Sequence, residues 1–266
     1  MAGTIGNLLV LTAFVASLLT TFSFFLASKE GLRSAEWLRI GRVSWWTVAI
    51  SSFGAFGLLI YLVYSHQFQY AYVYENSSLA LAGYFRISAS WAGQEGSFLV
   101  WIIMNAIVGL AMLKFARSYE PTVMTVIGLC QAFLLSMIVG LKLGGLPIGS
   151  SPFITLAEKF PEAPMLAAGL VPADGSGLND LLQNYWMVIH PPTLFAGFAA
   201  MIVPFAFAVS ALWKKQYTQW VRPALPWALL ATVILGIGIA MGGNWAYVTL
   251  SFGGYWAWDP VENSSL

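Results

Sequence analysis

Long apolar runs separated by short polar breaks fill most of this chain. "GNLLVLTAFVASLLTTFSFFLA", residues 6–27, is apolar on every side and reaches the ~20 residues needed to cross a bilayer. Comparable runs at 44–65, 97–116, 122–142, 191–213 and 224–241 bring the number of expected spans to six. The pattern predicts an all-α fold, a polytopic transmembrane helical bundle. The first run lacks a basic segment ahead of it and a convincing cleavage site, so it reads as a retained span and not as a signal peptide. Two long loops, 66–96 and 143–190, interrupt the pattern on one face; the second is rich in Gly, Pro and Ser ("GGLPIGSSPF", "PADGSG"). The reading is a membrane domain over 1–241 that includes both loops, followed by a distinct aromatic segment over 242–266.

Composition agrees with this. Only 9% of residues are charged and 59% are hydrophobic, whereas a soluble domain carries roughly 25% charge. That excludes a water-facing globule. Charge also orients the spans. Nine basic residues (Lys29, Arg33, Arg39, Arg42, Lys114, Arg117, Lys214, Lys215 and Arg222) fall on one side, and three (Arg86, Lys142 and Lys159) on the other. The richer side is expected to be cytoplasmic, which puts the long loops and the last segment on the outer face. A net charge of +1, with no basic cluster, gives nucleic acid no footing. The lone Cys130 supports neither a disulfide framework nor a cysteine metal site.

The candidate chemistry lies on the outer face. In "GGYWAWDPVENSSL", residues 253–266, Asp259 suits a helix N-cap, Pro260 the first helical position, and Glu262 completes a capping-box pattern. These acids read as shaping the backbone. If the preceding segment is extended, Trp256 and Trp258 share one face. Trp245 and Tyr247 repeat that offset, and the Gly pairs 242–243 and 253–254 permit close approach of a flat ligand. The alternative for these aromatics is an ordinary interfacial belt. Gly238 and Gly242 also make a GxxxG spacing, the mark of helix packing.

The chain has two histidines. His66, in "YSHQFQY", reads as an interfacial side chain. His190, in "YWMVIHPPTLFAGF", precedes two prolines that suit a first helical turn. That places it just ahead of a helix N-terminus, where a neutral imidazole is favoured. It is either a hydrogen-bonded structural residue or a metal ligand. Trp91, in "SWAGQEGSFLVW", belongs to a tight loop ahead of the third span, with Glu95 near the helix start. Arg86 is the one outer-face arginine. It suits a carboxylate such as a haem propionate, and equally Glu75, Glu95 or a lipid phosphate. Together these residues would fit a planar, carboxylated, metal-bearing macrocycle.

Three of these stretches, in this order, resemble the CcmF/NrfE family of cytochrome c-type haem lyase subunits. "GGYWAWDPVENSSL" is similar to its tryptophan-rich WWD motif, "SASWAGQEGSFLVW" to a loop ahead of a span, and "LNDLLQNYWMVIHPPTLFAGF" to its histidine-diproline stretch. The resemblance implies an inner (plasma) membrane protein of cytochrome c maturation that holds haem b on the outer face. His190 would ligate the iron, and Trp256, Trp258, Asp259 and Trp245 would form the motif, with Arg86 and Trp91 nearby. It also implies a haem chaperone, CcmE, as donor, a CcmH-type presenting subunit, and apocytochrome c as acceptor. Gln94 stands where the loop often has His, and Phe252 where the motif often has Trp. The family carries a second outer His and a membrane-embedded His pair, which these 266 residues lack. The chain therefore reads as an N-terminal portion, with a missing C-terminal half as one partner. Two alternatives stay open: a haem export or delivery protein of the CcmC/CcsA type without lyase activity, and a polytopic transporter with an aromatic ligand cage.

Overall fold

The computed structural model describes residues 1–29, 31–167, 169–249 and 253–266. It is an all-α bundle. Five described helices are long and apolar enough to cross a membrane: α1 (Ala2–Ala27), α2 (Ser34–Tyr64), α5 (Gln94–Phe115), α9 (Tyr185–Lys214) and α10 (Val221–Thr249). The short helices α3 (Ala71–Asn76) and α4 (Gly83–Ala89) lie between α2 and α5.

The sixth expected span, 122–142, is a shorter helix. α6 (Glu120–Ser136) has 17 residues and is buried on most sides. Beyond it the apolar run continues as a hairpin, β1 (Leu141–Leu143) paired with β2 (Leu146–Ile148). Gly144 and Gly145 turn the hairpin with φ of +57° and +89°, a turn that requires left-handed backbone at both positions. Hydropathy alone does not separate this hairpin from the end of a span.

Helix α1 explains how the bundle closes. Its buried positions Gly3, Gly6, Val10, Ala13, Ser17, Thr20, Phe24 and Ala27 recur at alternating steps of three and four. Such a stripe forms a seam along the helix. Most of its side chains are small, which lets neighbouring backbones approach. α1 packs against α2 and α6 through this seam, while α5 and α9 close the other side of α6. Trp45 of α2 is fully buried, and its indole donates to the Ala106 carbonyl of α5 at 3.3 Å. At the end bearing most basic residues, the Arg42 guanidinium grips Glu120 through two bonds of 2.7 and 2.6 Å. Glu120 is 5% exposed.

The two long loops are folded onto each other. α3 meets α7 (Leu156–Lys159) and the stretch ahead of α9, while α4 packs on α2 and α9. Ala71 N–H donates to the Ile154 carbonyl at 3.0 Å, and Leu156 N–H to Gln69 at 2.9 Å. Ser176 and Gly177 N–H reach Tyr74 and Ser77 at 2.8 and 3.1 Å. The Asp174 carboxylate accepts from Leu79 N–H at 2.8 Å, and Lys159 pairs with Glu75 at 2.5 Å. α8 (Pro164–Ala167) completes this cap. The cap is tied to α1, since Gly3 N–H donates to the Tyr70 hydroxyl at 2.8 Å.

Breaking the Arg42–Glu120 pair strands a buried carboxylate. R42A is expected to destabilise the protein by about 1–3 kcal/mol, discounted because Arg42 is partly exposed. R42A/E120Q should recover part of the loss in thermal unfolding in detergent.

Candidate functional site

Helices α9 and α10 run antiparallel at unusually close range, because glycine faces backbone on both sides. A Cβ on Gly197 of α9 would lie 2.7 Å from Leu235 Cα, and one on Gly238 of α10 would lie 2.9 Å from Leu194 Cα. One turn further along, Gly242 faces the imidazole of His190, where a Cβ would come within 2.7 Å of Cε1. The GxxxG pair at 238 and 242 is thus a packing device whose second glycine makes room for a ring.

His190 does not precede its helix. α9 starts at Tyr185, with the Asn184 side chain capping Trp186 N–H at 3.0 Å. His190 is helical, with Pro191 and Pro192 inside the helix. Its favourable position therefore does not come from a helix N-terminus. It comes from α10: His190 Nδ1 lies 2.9 Å from the Gly238 carbonyl. A carbonyl only accepts, so Nδ1 carries the proton and Nε2 keeps its lone pair.

The prolines are accommodated by Trp91. Pro191 has no N–H for the carbonyl of Met187 four residues back. The Trp91 indole supplies the missing donor at 3.1 Å. Trp91 itself is 8% exposed and stacks on Phe56 of α2 at 6.5 Å. It is a structural support one turn from His190 and does not line the crevice. Tyr72 holds its loop, donating to the Ala89 carbonyl and accepting from Gly93 N–H, both at 3.1 Å. Burial pushes the Tyr72 phenol far above its ordinary pKa.

A crevice of about 250 Å³ opens beside His190, lined also by Gly242, Trp245, Trp256, Asp259 and Glu262. Helix α10 continues past residue 241 to Thr249, so Gly242, Gly243 and Trp245 are helical. Trp245 and Tyr247 therefore do not share a face. Trp245 donates to the Leu181 carbonyl at 3.3 Å, tying α10 to the loop before α9. Tyr247 instead stacks on Tyr255, with ring centroids 4.4 Å apart and planes within 1°. The stretch before α11 (Pro260–Ser265) is not a regular strand, because Trp258 has φ of +59°. Trp256 and Trp258 meet edge to face at 85°, 5.8 Å apart, and make no flat wall. Phe252 lies outside the described residues.

Asp259 and Glu262 form the capping box: Glu262 N–H reaches Asp259 at 2.7 Å, and Glu262 accepts from Asp259 N–H at 3.3 Å and from Ala257 N–H at 2.8 Å. This box fixes the turn that presents Trp256. The Trp256 indole Nε1 is buried with no acceptor among the described residues. Arg86 lies elsewhere. Its guanidinium donates to the Leu81 and Leu79 carbonyls at 2.7 and 3.1 Å, within its own loop. Glu95 accepts from Ser150 at 2.7 Å.

The residues present fit a haem edge. They offer a neutral imidazole whose Nδ1–H is already engaged, as metal-ligating histidines usually are. They also offer an orphaned indole N–H and a glycine opening. The crevice is smaller than the ~300–1,000 Å³ of enclosing ligand pockets, so these residues form one side of such a site.

His66 lies just past the C-cap of α2, half-buried. Its ring meets Phe68 at a tilt of 41°, centroids 5.5 Å apart, its φ is +54°, and its Nδ1 is buried and unpartnered among the described residues. Burial first, then the Arg86 charge, lowers its pKa against an opposing pull from Asp174. The folded state thus prefers the neutral ring, so stability should fall as pH drops below the unfolded value of about 6.5. H66N, which tolerates left-handed backbone, should flatten the dependence of the unfolding midpoint between pH 7.5 and 5.5. W91F keeps the stacking and deletes one donor. It should cost about 1–3 kcal/mol by leaving the Met187 carbonyl unpaired, read as a lower unfolding midpoint.

The chain is similar to known proteins of cytochrome c assembly. The sequence model described as "Cytochrome C assembly protein" matches residues 91–266. The CcmF biogenesis protein of Pseudomonas aeruginosa is 35% identical over 98% of this chain and 37% of its own length. CcmF of Escherichia coli is 32% identical over 98% of this chain and 38% of its own length. NrfE of Haemophilus influenzae is 35% identical over 79% of this chain and 31% of its own length. A solved structure named cytochrome c heme lyase CcmF superposes with a TM-score of 0.78 at 29% identity, covering 100% of this chain and 39% of that one. The chain thus spans well under half the length of these relatives. With the family model matching most of the chain and curated relatives above 30% identity, this multi-pass membrane protein belongs to the cytochrome c assembly protein family.

Proposed function

We propose that this chain supplies one side of an outer-face haem b site used in cytochrome c maturation, where His190 would hold the iron. The observation that carries the reading is the His190–Gly238 bond of 2.9 Å. It commits Nδ1 as donor and leaves Nε2 free to ligate, on a ring packed against Gly242 at the wall of the crevice.

Haem would supply the vinyl groups that thiols join and the iron whose redox state governs that joining. The chain's residues bind and orient. His190 offers the Nε2 lone pair. The Gly238 carbonyl fixes the tautomer and raises the basicity of the ring. The Trp256 indole offers its unused N–H to an acceptor such as a carboxylate, and Trp245 adds an aromatic flank. Asp259 acts through the backbone, capping the turn that carries Trp256 and Trp258. Trp91 supports the proline-interrupted turn of α9 from below. Arg86 serves the cap unless its loop rearranges. Acceleration would come from holding reacting groups near each other.

The reading extends to location and partners. The site faces the outer side of the inner membrane, where the basic-poor loops lie. A CcmE-type chaperone delivers haem, a CcmH-type subunit presents apocytochrome c, and sequence of the kind the longer relatives possess closes the other side of the crevice.

The test is a pyridine haemochrome spectrum of the purified protein from haem-replete cells. The wild type should carry haem b. H190A should lose most of it, and G242A should lose a large part by displacing the ring. Equal haem in wild type and H190A, or none in the wild type, overturns the proposal.

A further inference from the structure

At the opposite end of the bundle, the end of α5, the short turn Arg117–Tyr119 that follows it and the start of α10 enclose a cleft of about 790 Å³. Phe115, Trp227 and Leu230 give it an apolar wall, and Arg117 and Arg222 bring two guanidinium groups to it. Neither arginine meets a carboxylate among the described residues. Glu120, the acid next in sequence, is buried and already gripped by Arg42 of α2. Lys214 stands close by, donating to the Ser118 carbonyl at 2.5 Å beside the Tyr119 ring. The cleft is therefore cationic, with no lining anion to balance it.

Arg117 occupies an unusual backbone position. It follows the C-cap of α5, Ala116, with φ of +50°. Glycine normally fills this left-handed place at a helix end, because it carries no side chain to strain. An arginine there tolerates strain that a glycine would avoid, and it sets its charge at the cleft. The site lies at the ends of membrane-spanning helices, at the depth where headgroups and hydrocarbon meet. Basic pockets between transmembrane helices at this depth suit anionic lipid headgroups, and an apolar wall below suits acyl chains.

We propose that this cleft binds the phosphate of an anionic phospholipid through Arg117 and Arg222, with an acyl chain lying along Phe115, Trp227 and Leu230. This goes beyond the haem reading and does not depend on it.

Native mass spectrometry of the full chain in detergent tests it, titrating phosphatidylglycerol, phosphatidylcholine and inorganic phosphate separately. Phosphatidylglycerol should bind more tightly than phosphatidylcholine, and inorganic phosphate at the same concentration should not displace it. R117G keeps a residue suited to left-handed backbone and removes the charge. It should weaken phosphatidylglycerol about fivefold, and R117G/R222Q about 25-fold. The unfolding midpoint of R117G in lipid-free detergent should be unchanged or higher, which separates lost binding from lost folding. Unchanged phosphatidylglycerol affinity in the double variant overturns the proposal, as does equal affinity for phosphatidylcholine. Displacement by inorganic phosphate would assign the arginines to a free anion and overturn the lipid assignment.

Discussion

The close approach of α9 and α10 is the constraint on which the candidate site rests. Two helices bring a carbonyl to a side-chain ring only when their backbones nearly touch. Gly197 and Gly238 permit that, each lying against the backbone of the other helix. The carbonyl of Gly238 then reaches His190 Nδ1 at 2.9 Å, and Gly242 leaves space for the ring itself. Packing and the orientation of the imidazole are one arrangement here. Lipid gives no hydrophobic drive for helices to associate, so contact of this kind supplies much of the adhesion between them.

The cap of folded loops does related work from the other side. Pro191 and Pro192 would ordinarily weaken a helix by leaving carbonyls unpaired. Here the Trp91 indole bonds the Met187 carbonyl, and the Trp91 loop is itself held by Tyr72. The interruption therefore becomes a rigid joint beside the ring. The structure assigns the conspicuous tryptophan of "SWAGQEGS" to support, whereas the less regular Trp256 and Trp258 face the crevice and solvent.

The spans were legible because hydropathy needs no tertiary information. The all-α bundle and five long helices follow from it, as does the Asp259–Glu262 capping box, a purely local device. Failures occurred where tertiary contact overrides local preference. The diproline pointed to a helix start at 191, yet Asn184 caps the helix and Trp91 rescues it. Gly242 and Gly243 suggested room for a flat ligand, yet they are helical, with Gly242 facing the imidazole and Gly243 the Tyr255 carbonyl. Alternation of Trp245 with Tyr247 and of Trp256 with Trp258 assumed extended backbone. The first pair is helical, and the second is broken by left-handed Trp258. The apolar residues 137–142 looked like the end of a span, and only Gly140, Gly144 and Gly145 hinted at the hairpin. Asn184 before "YWM" was the cap signal that went unread.

Gly238 acts on His190 through its main chain. The atom that selects the tautomer is therefore encoded by helix geometry and not by residue identity. Exchanging side chains one at a time along α10, away from its packing glycines, would leave that oxygen in place. An alanine at 238 would register as a packing defect against Leu194, and the effect of that carbonyl on the His190 ring would go unnoticed. Chemical replacement of the backbone amide, weakening the acceptor while sparing the shape, is the perturbation that would expose it.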